Sequence, residues 1–169
     1  MTYFIWLLRI VHILGGVIWV GGAVMMAFFV GPTVAATAEA GQKFMGHMVG
    51  ALKISTRMSA IAGLTILAGA ILYWIDSHGL TSDWMKSSAG TGFTVGALFG
   101  LVGFVLGLMV GRAVKAIGQL AAQIQGKPTP EQQAQLGALQ KRQMMFSTYS
   151  TYSLIISVIL MAVARYLIF

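Results

Sequence analysis

Four long runs of apolar residues alternate with more polar segments along this chain. They cover residues 4–30, 58–75, 93–110 and 147–169. A helix needs about 20 apolar residues to cross the hydrocarbon core of a bilayer, so each run suits one crossing. The pattern predicts an all-α integral membrane four-helix bundle, formed as a single transmembrane domain over residues 1–169.

The segments between the spans predict further helix. Gly31-Pro32 is expected to close the first span, and residues 33–57 carry few charges and are expected to form a helix that runs into the second span as one long bent helix. The third span is expected to continue past the membrane through Arg112 to Gln125.

A helix start precedes the fourth span. Thr129 is a capping residue, Pro130 suits the first helical position, and Glu131 and Gln132 follow. The helices are therefore expected to extend beyond the membrane, into the cytoplasm.

The composition is that of a membrane protein, and it excludes several kinds of functional site. The chain is 57% hydrophobic and 9% charged, whereas a soluble domain carries about 25% charged residues. Because it has no cysteine, disulfides, thiolate metal sites and cysteine nucleophiles are excluded. The net charge of +7 comes from residues scattered over several loops, which favours orientation in a membrane over nucleic-acid binding.

The basic residues predict which loops are cytoplasmic. The second loop holds Lys86 beside two aspartates, whereas the first and third loops hold most of the other basic side chains: Lys43, Lys53 and Arg57, and then Arg112, Lys115, Lys127, Lys141 and Arg142. By the positive-inside rule the first and third loops are cytoplasmic and both termini are extracytoplasmic.

The first span carries an ionisable face. Arg9, His12, Gly15, Gly16 and Trp19 recur at spacings that place them together on a helix. An ionisable group at membrane depth is costly, so this face is expected to point inward and to be functional. An imidazole, nearby cations and space for a flat ring are what a b-type haem needs. The alternative is a histidine that bonds across helices.

Other residues extend this hypothesis. Met161 lies at a depth similar to that of His12 and is a candidate second ligand, while Arg165 would hold a haem propionate or reach the membrane interface. His47, between Met45 and Met48, could bind a second haem or copper, and the simpler interpretation is a surface histidine.

Two further patterns favour helix packing. The third span has glycines at four-residue spacing, typical of close helix contact, and these could also make room for a ring system or bind a second copy. The fourth span is rich in serine and threonine, which in membrane helices mostly bond backbone carbonyls. None of the four carboxylates lies in mid-membrane, which argues against a carboxylate-driven transporter.

A short motif resembles a known group. Arg9-x-x-His12-Ile13 followed by Trp19-x-x-Gly22 is similar to the opening helix of the CopD-like superfamily of bacterial membrane proteins. That group includes copper-resistance D proteins and HemJ-type protoporphyrinogen oxidases. Gly111-Arg112 and the segment from Met161 to Tyr166 look like small four-helix members. The resemblance implies the bacterial inner membrane and a haem-associated redox site with His12 as ligand.

Three functions follow as expectations. The first is a haem b protein for electron transfer or small-molecule oxidation, in which His12 is the metal ligand, Arg9 and Arg165 hold propionates and Trp19 packs on the ring; a redox protein or a quinone would be its partner. The second is a copper or small-molecule transporter. The third is an accessory structural subunit of a respiratory complex. No catalytic residue is assigned.

Overall fold

The computed structural model describes residues 2–81, 83–124 and 126–168. Throughout these residues the secondary structure is helix joined by turns. The helices are α1 (Thr2–Met25), α2 (Gly31–Ala36), α3 (Ala38–Gly50), α4 (Ile54–Asp76), α5 (Ser88–Gln123) and α6 (Pro130–Val163).

Four helical stretches are long and apolar enough to cross a bilayer. They are Thr2–Ala36, Ile54–Asp76, Ser88–Gln123 and Pro130–Tyr166. This confirms the all-α architecture, and the four helices could cross a membrane, as a multi-pass membrane protein requires. The predicted fourth span ends at Phe169, which lies outside the described residues.

The first crossing does not end at Gly31-Pro32. A π-helical turn, Met26–Val30, joins α1 to α2, and the Gly31 N–H donates to the carbonyl of Met26. Proline has no N–H for the usual helical bond and crowds the preceding turn. The wider π-turn just before Pro32 accommodates both effects, so the helix continues to Ala36.

The segment after it is helical but does not run into the second span as one bent helix. Helix α3 ends at Gly50, and α4 begins at Ile54. Between them Lys53 has φ of 50°, the left-handed conformation that an α-helix cannot contain. This correction leaves α3 as a separate helix beside the bundle.

Helices α5 and α6 extend beyond their apolar parts, as predicted. α5 continues to Gln123, and Gln125 lies outside the described residues. The Thr129 hydroxyl accepts the Gln132 N–H at 3.2 Å, and the Gln132 side chain accepts the Thr129 N–H at 3.0 Å. This capping box confirms the predicted start of α6.

The bundle consists of two antiparallel helix pairs, α1 with α4 and α5 with α6. A small core of Trp19, Ala62 and Leu154, with Phe104 packed against it, joins the pairs. We call the end where α1 begins and α6 ends the terminal end. The opposite end, which holds α3 and the α5–α6 connection, is the basic end.

The α5–α6 pair is held by glycines on one helix and hydroxyls on the other. A Cβ on Gly96, Gly100 or Gly103 would meet α6 at 3.3, 3.1 and 2.6 Å respectively. The serine ladder of α6 donates to α5 carbonyls at 2.7–2.8 Å: Ser150 to Gly103, Ser153 to Phe99 and Ser157 to Gly96. As predicted, the glycines of the third span serve close helix packing, and the serines of the fourth span bond backbone carbonyls. Since this stripe is used inside the bundle, a homodimer would need another surface.

Candidate functional site

His12 lies in the interface between α1 and α4. Its Nδ1 is 2.8 Å from the backbone carbonyl oxygen of Thr65. A carbonyl can only accept, so Nδ1 carries the proton and donates. In the uncharged imidazole the lone pair is then on Nε2. The histidine is therefore bonded across helices, and one nitrogen remains able to bind a ligand.

Gly69 makes this contact sterically feasible. A Cβ at position 69 would lie 2.6 Å from Cε1 and 2.8 Å from Nδ1 of His12, which is closer than real Cβ atoms approach. The ring thus rests on the bare backbone of α4. Neither Thr65 nor Gly69 was predicted as part of the site. The sequence feature that could have indicated them is a set of small residues at helical spacing in the second span: Ala62, Thr65 and Gly69.

Nε2 of His12 has no hydrogen-bond partner among the described residues. The side chain is only partly buried, so this nitrogen is not sealed within the pair. A neutral imidazole whose second nitrogen is fixed by a carbonyl is the usual form of a metal-bound histidine. This geometry fits an axial ligand.

The space that Gly15 and Gly16 were expected to open is filled by α4. The Thr65 hydroxyl occupies the position beside Gly15, and the Thr65 methyl lies 4.0 Å from where a Cβ on Gly16 would be. A flat macrocycle therefore does not fit between α1 and α4. If His12 binds one, the ring must lie on the Nε2 side of the imidazole, outside that interface.

Trp19 is a core residue. It is 9% exposed, and its ring meets that of Phe104 edge to face, with 6.0 Å between centroids. Leu154 and Ala62 complete its surroundings. The indole is thus used to join the two helix pairs.

Met161 lies on the other helix pair from His12. Its Cγ would be 3.4 Å from a Cβ on Gly96, so the side chain packs on α5. Both residues belong to the terminal half of the bundle. The role of Met161 as a second ligand stays a prediction.

The two arginines of the terminal half form no ion pair with the residues that the structure describes. Arg9 is partly buried one turn from His12, and Arg165 is exposed in the short helix Ala164–Tyr166. The described ion pairs are Lys43–Glu39 and Lys86–Asp83, and neither involves these arginines. Both guanidinium groups could therefore hold an anionic group.

The residues proposed for copper do not converge. Met45 and Met48 are partly buried on one face of α3, whereas His47 is exposed. Within the part of the chain that the structure describes, no three His, Asp or Glu side chains cluster as a metal site would need. His47 is thus a surface residue of α3, away from the α1–α4 interface that holds His12.

Comparison with models of protein families, with curated proteins and with solved structures finds no match. The function must therefore be argued from the residues of this chain.

Proposed function

We propose that this chain is a haem b-binding membrane protein that transfers electrons or oxidises a small molecule. The observation that carries the proposal is the fixed tautomer of His12, which leaves Nε2 free at membrane depth. Arg9, one turn toward the terminal end, is the cation for a propionate, and Arg165 is a second candidate. Bound haem would supply one-electron transfer.

The proposal includes membership of the CopD-like superfamily and the setting that follows from it. The protein would lie in a bacterial inner membrane with its basic end in the cytoplasm and both termini outside. What supports this is the Arg9-x-x-His12 motif and the excess of Lys and Arg at the basic end. A quinone or redox protein would then exchange electrons near the terminal end.

A reduced-minus-oxidised absorbance spectrum of the purified protein, with a pyridine haemochrome assay, tests the proposal. We expect a b-type spectrum in the wild type and in two control variants, His47→Ala and His78→Ala. His78 is exposed in the turn that follows α4. The spectrum should disappear in His12→Asn, whose side-chain amide can still donate to the Thr65 carbonyl in place of Nδ1. Wild-type protein made with ample haem but lacking the spectrum would contradict the proposal.

A second candidate is an accessory structural subunit of a membrane complex. It is favoured by the closed α1–α4 interface, in which Thr65 fills the glycine space and His12 locks two helices together. Under this alternative the wild type never shows a haem spectrum, and the chain is unstable when it is expressed alone. Copper transport, the remaining sequence-based alternative, receives no support from the arrangement of Met45, His47 and Met48.

A further inference from the structure

A cavity lies between α5 and α6 at the basic end. Its volume is about 250 Å³, and its wall includes two basic residues, Arg112 and Arg142. The rest of the lining is apolar: Met109, Ala113, Ala116, Leu139 and Phe146. Neither the His12 site nor the proposed function uses it.

The glycines of α5 have fewer close contacts toward this end of the helix. A Cβ on Gly103 would lie 2.6 Å from Leu154, one on Gly107 would lie 3.8 Å from the Ser150 hydroxyl, and one on Gly111 would meet nothing within 4 Å. The small side chains of Ala113 and Ala116 do not fill the cavity.

Among the described residues, the guanidinium groups of Arg112 and Arg142 have no acidic partner. The described ion pairs are formed by other residues, Lys43–Glu39 and Lys86–Asp83. Arg142 lies over the Phe146 ring, with its guanidinium carbon 5.4 Å from the ring centroid, which orients the group by a cation–π contact. Two unpaired guanidiniums beside one cavity favour an anion, and their planar donors match a phosphate.

The position of the cavity indicates which phosphate. Arg112 comes two residues after the third apolar span and Arg142 five residues before the fourth. At 1.5 Å per residue, both lie within about 8 Å of the apolar boundary, at the level of lipid headgroups. A free phosphate would be left against apolar walls, whereas a phospholipid can place its glycerol and upper acyl chain there. Basic pockets between membrane helices bind anionic headgroups in this way.

We propose that this cavity binds the phosphodiester headgroup of an anionic phospholipid, with Arg112 and Arg142 as the phosphate ligands. The site is independent of haem. It would anchor the basic ends of α5 and α6 to the lipid surface.

Native mass spectrometry of the full-length detergent-purified protein tests this, with phosphatidylglycerol as the probe and phosphatidylcholine as the zwitterionic reference. We expect the wild type to prefer phosphatidylglycerol. One basic residue near an anionic headgroup contributes roughly a factor of five, so Arg112→Gln with Arg142→Gln should weaken phosphatidylglycerol binding roughly 30-fold. The matched control, Lys115→Gln with Lys141→Gln, removes two exposed charges from the same helices outside the cavity and should leave the preference intact.

Two further measurements test whether the lipid binds in the cavity and whether free phosphate can replace it. Ala116→Leu fills the cavity without changing charge and should weaken binding of phosphatidylglycerol; it also keeps the proposal testable if the double arginine variant does not fold. Inorganic phosphate at millimolar concentration should not displace the lipid. The assignment would be overturned if the lysine control lost as much binding as the arginine variant. It would also be overturned if either the arginine variant or Ala116→Leu bound phosphatidylglycerol as the wild type does, or if free phosphate displaced the lipid.

Discussion

His12 and Gly69 depend on each other in the contact between α1 and α4. The imidazole reaches a carbonyl of α4 because position 69 has no side chain, and the bond fixes which nitrogen is free. A buried polar group that lacks such a bond would cost free energy at membrane depth. The same contact therefore stabilises the helix pair and determines that Nε2 carries the lone pair.

Adding one methyl group at position 69 should disrupt this contact. In Gly69→Ala the new Cβ would displace the ring, and overpacking of this kind typically costs about 1–3 kcal/mol. The matched control is Gly63→Ala on the same helix, where a Cβ meets nothing within 4 Å. That variant should stay within about 1 kcal/mol of the wild type. Thermal unfolding in detergent, followed by circular dichroism, measures both, and equal stability of the two variants would contradict this account.

At the scale of elements, helix α6 bonds to α5 through hydroxyls rather than through apolar side chains alone. The serine ladder needs glycines opposite it, because only a bare α5 backbone brings its carbonyls within 2.8 Å of the hydroxyls. Lipid tails are as apolar as leucine, so close packing and hydrogen bonds are what hold such a pair together.

Replacing the ladder by alanine should loosen the pair measurably. Hydrogen bonds between membrane helices average about 0.6 kcal/mol each, so the triple change of Ser150, Ser153 and Ser157 to Ala should lower the free energy of unfolding by about 2 kcal/mol. Ser147→Ala is the control on the same helix, since no described residue hydrogen-bonds its hydroxyl. Denaturation in mixed micelles would measure the difference. A triple variant as stable as the control would show that glycine packing suffices.

At the scale of the whole molecule, charge is distributed unequally between the two ends. The terminal end carries Arg9, Arg165 and the paired Lys86, whereas the other eight basic residues belong to the basic end. By the positive-inside rule such a gradient supports the proposed orientation, with the basic end in the cytoplasm.

The absence of cysteine allows a direct test of orientation. Thr81→Cys introduces an exposed thiol in the loop at the terminal end, and Gln133→Cys introduces one near the start of α6 at the basic end. A maleimide that cannot cross the membrane should label Thr81→Cys in cells with an intact inner membrane and label Gln133→Cys only after permeabilisation. The cysteine-free parent is the background control. The opposite labelling pattern would invert the proposed topology.

The sequence by itself determined the class of protein and the features that depend on local pattern. Four apolar runs set the spanning helices because their length matches a bilayer, and the Thr129 cap set the start of α6 through neighbouring residues alone. It also predicted that serines and glycines would serve packing. The local pattern did not predict two features of the backbone. The π-turn allows the first helix to continue past Pro32, and the left-handed conformation of Lys53 separates α3 from α4.

The tertiary structure decided what each candidate side chain contacts. His12, Gly15 and Trp19 share one helix face, but only the position of α4 shows that Thr65 fills the glycine space and that the histidine bonds its carbonyl. In the same way, Arg112 and Arg142 are 30 positions apart and become neighbours of one cavity through the α5–α6 pairing. Periodicity fixes which side chains share a face of one helix, whereas the partner of that face depends on contacts between residues distant in the chain.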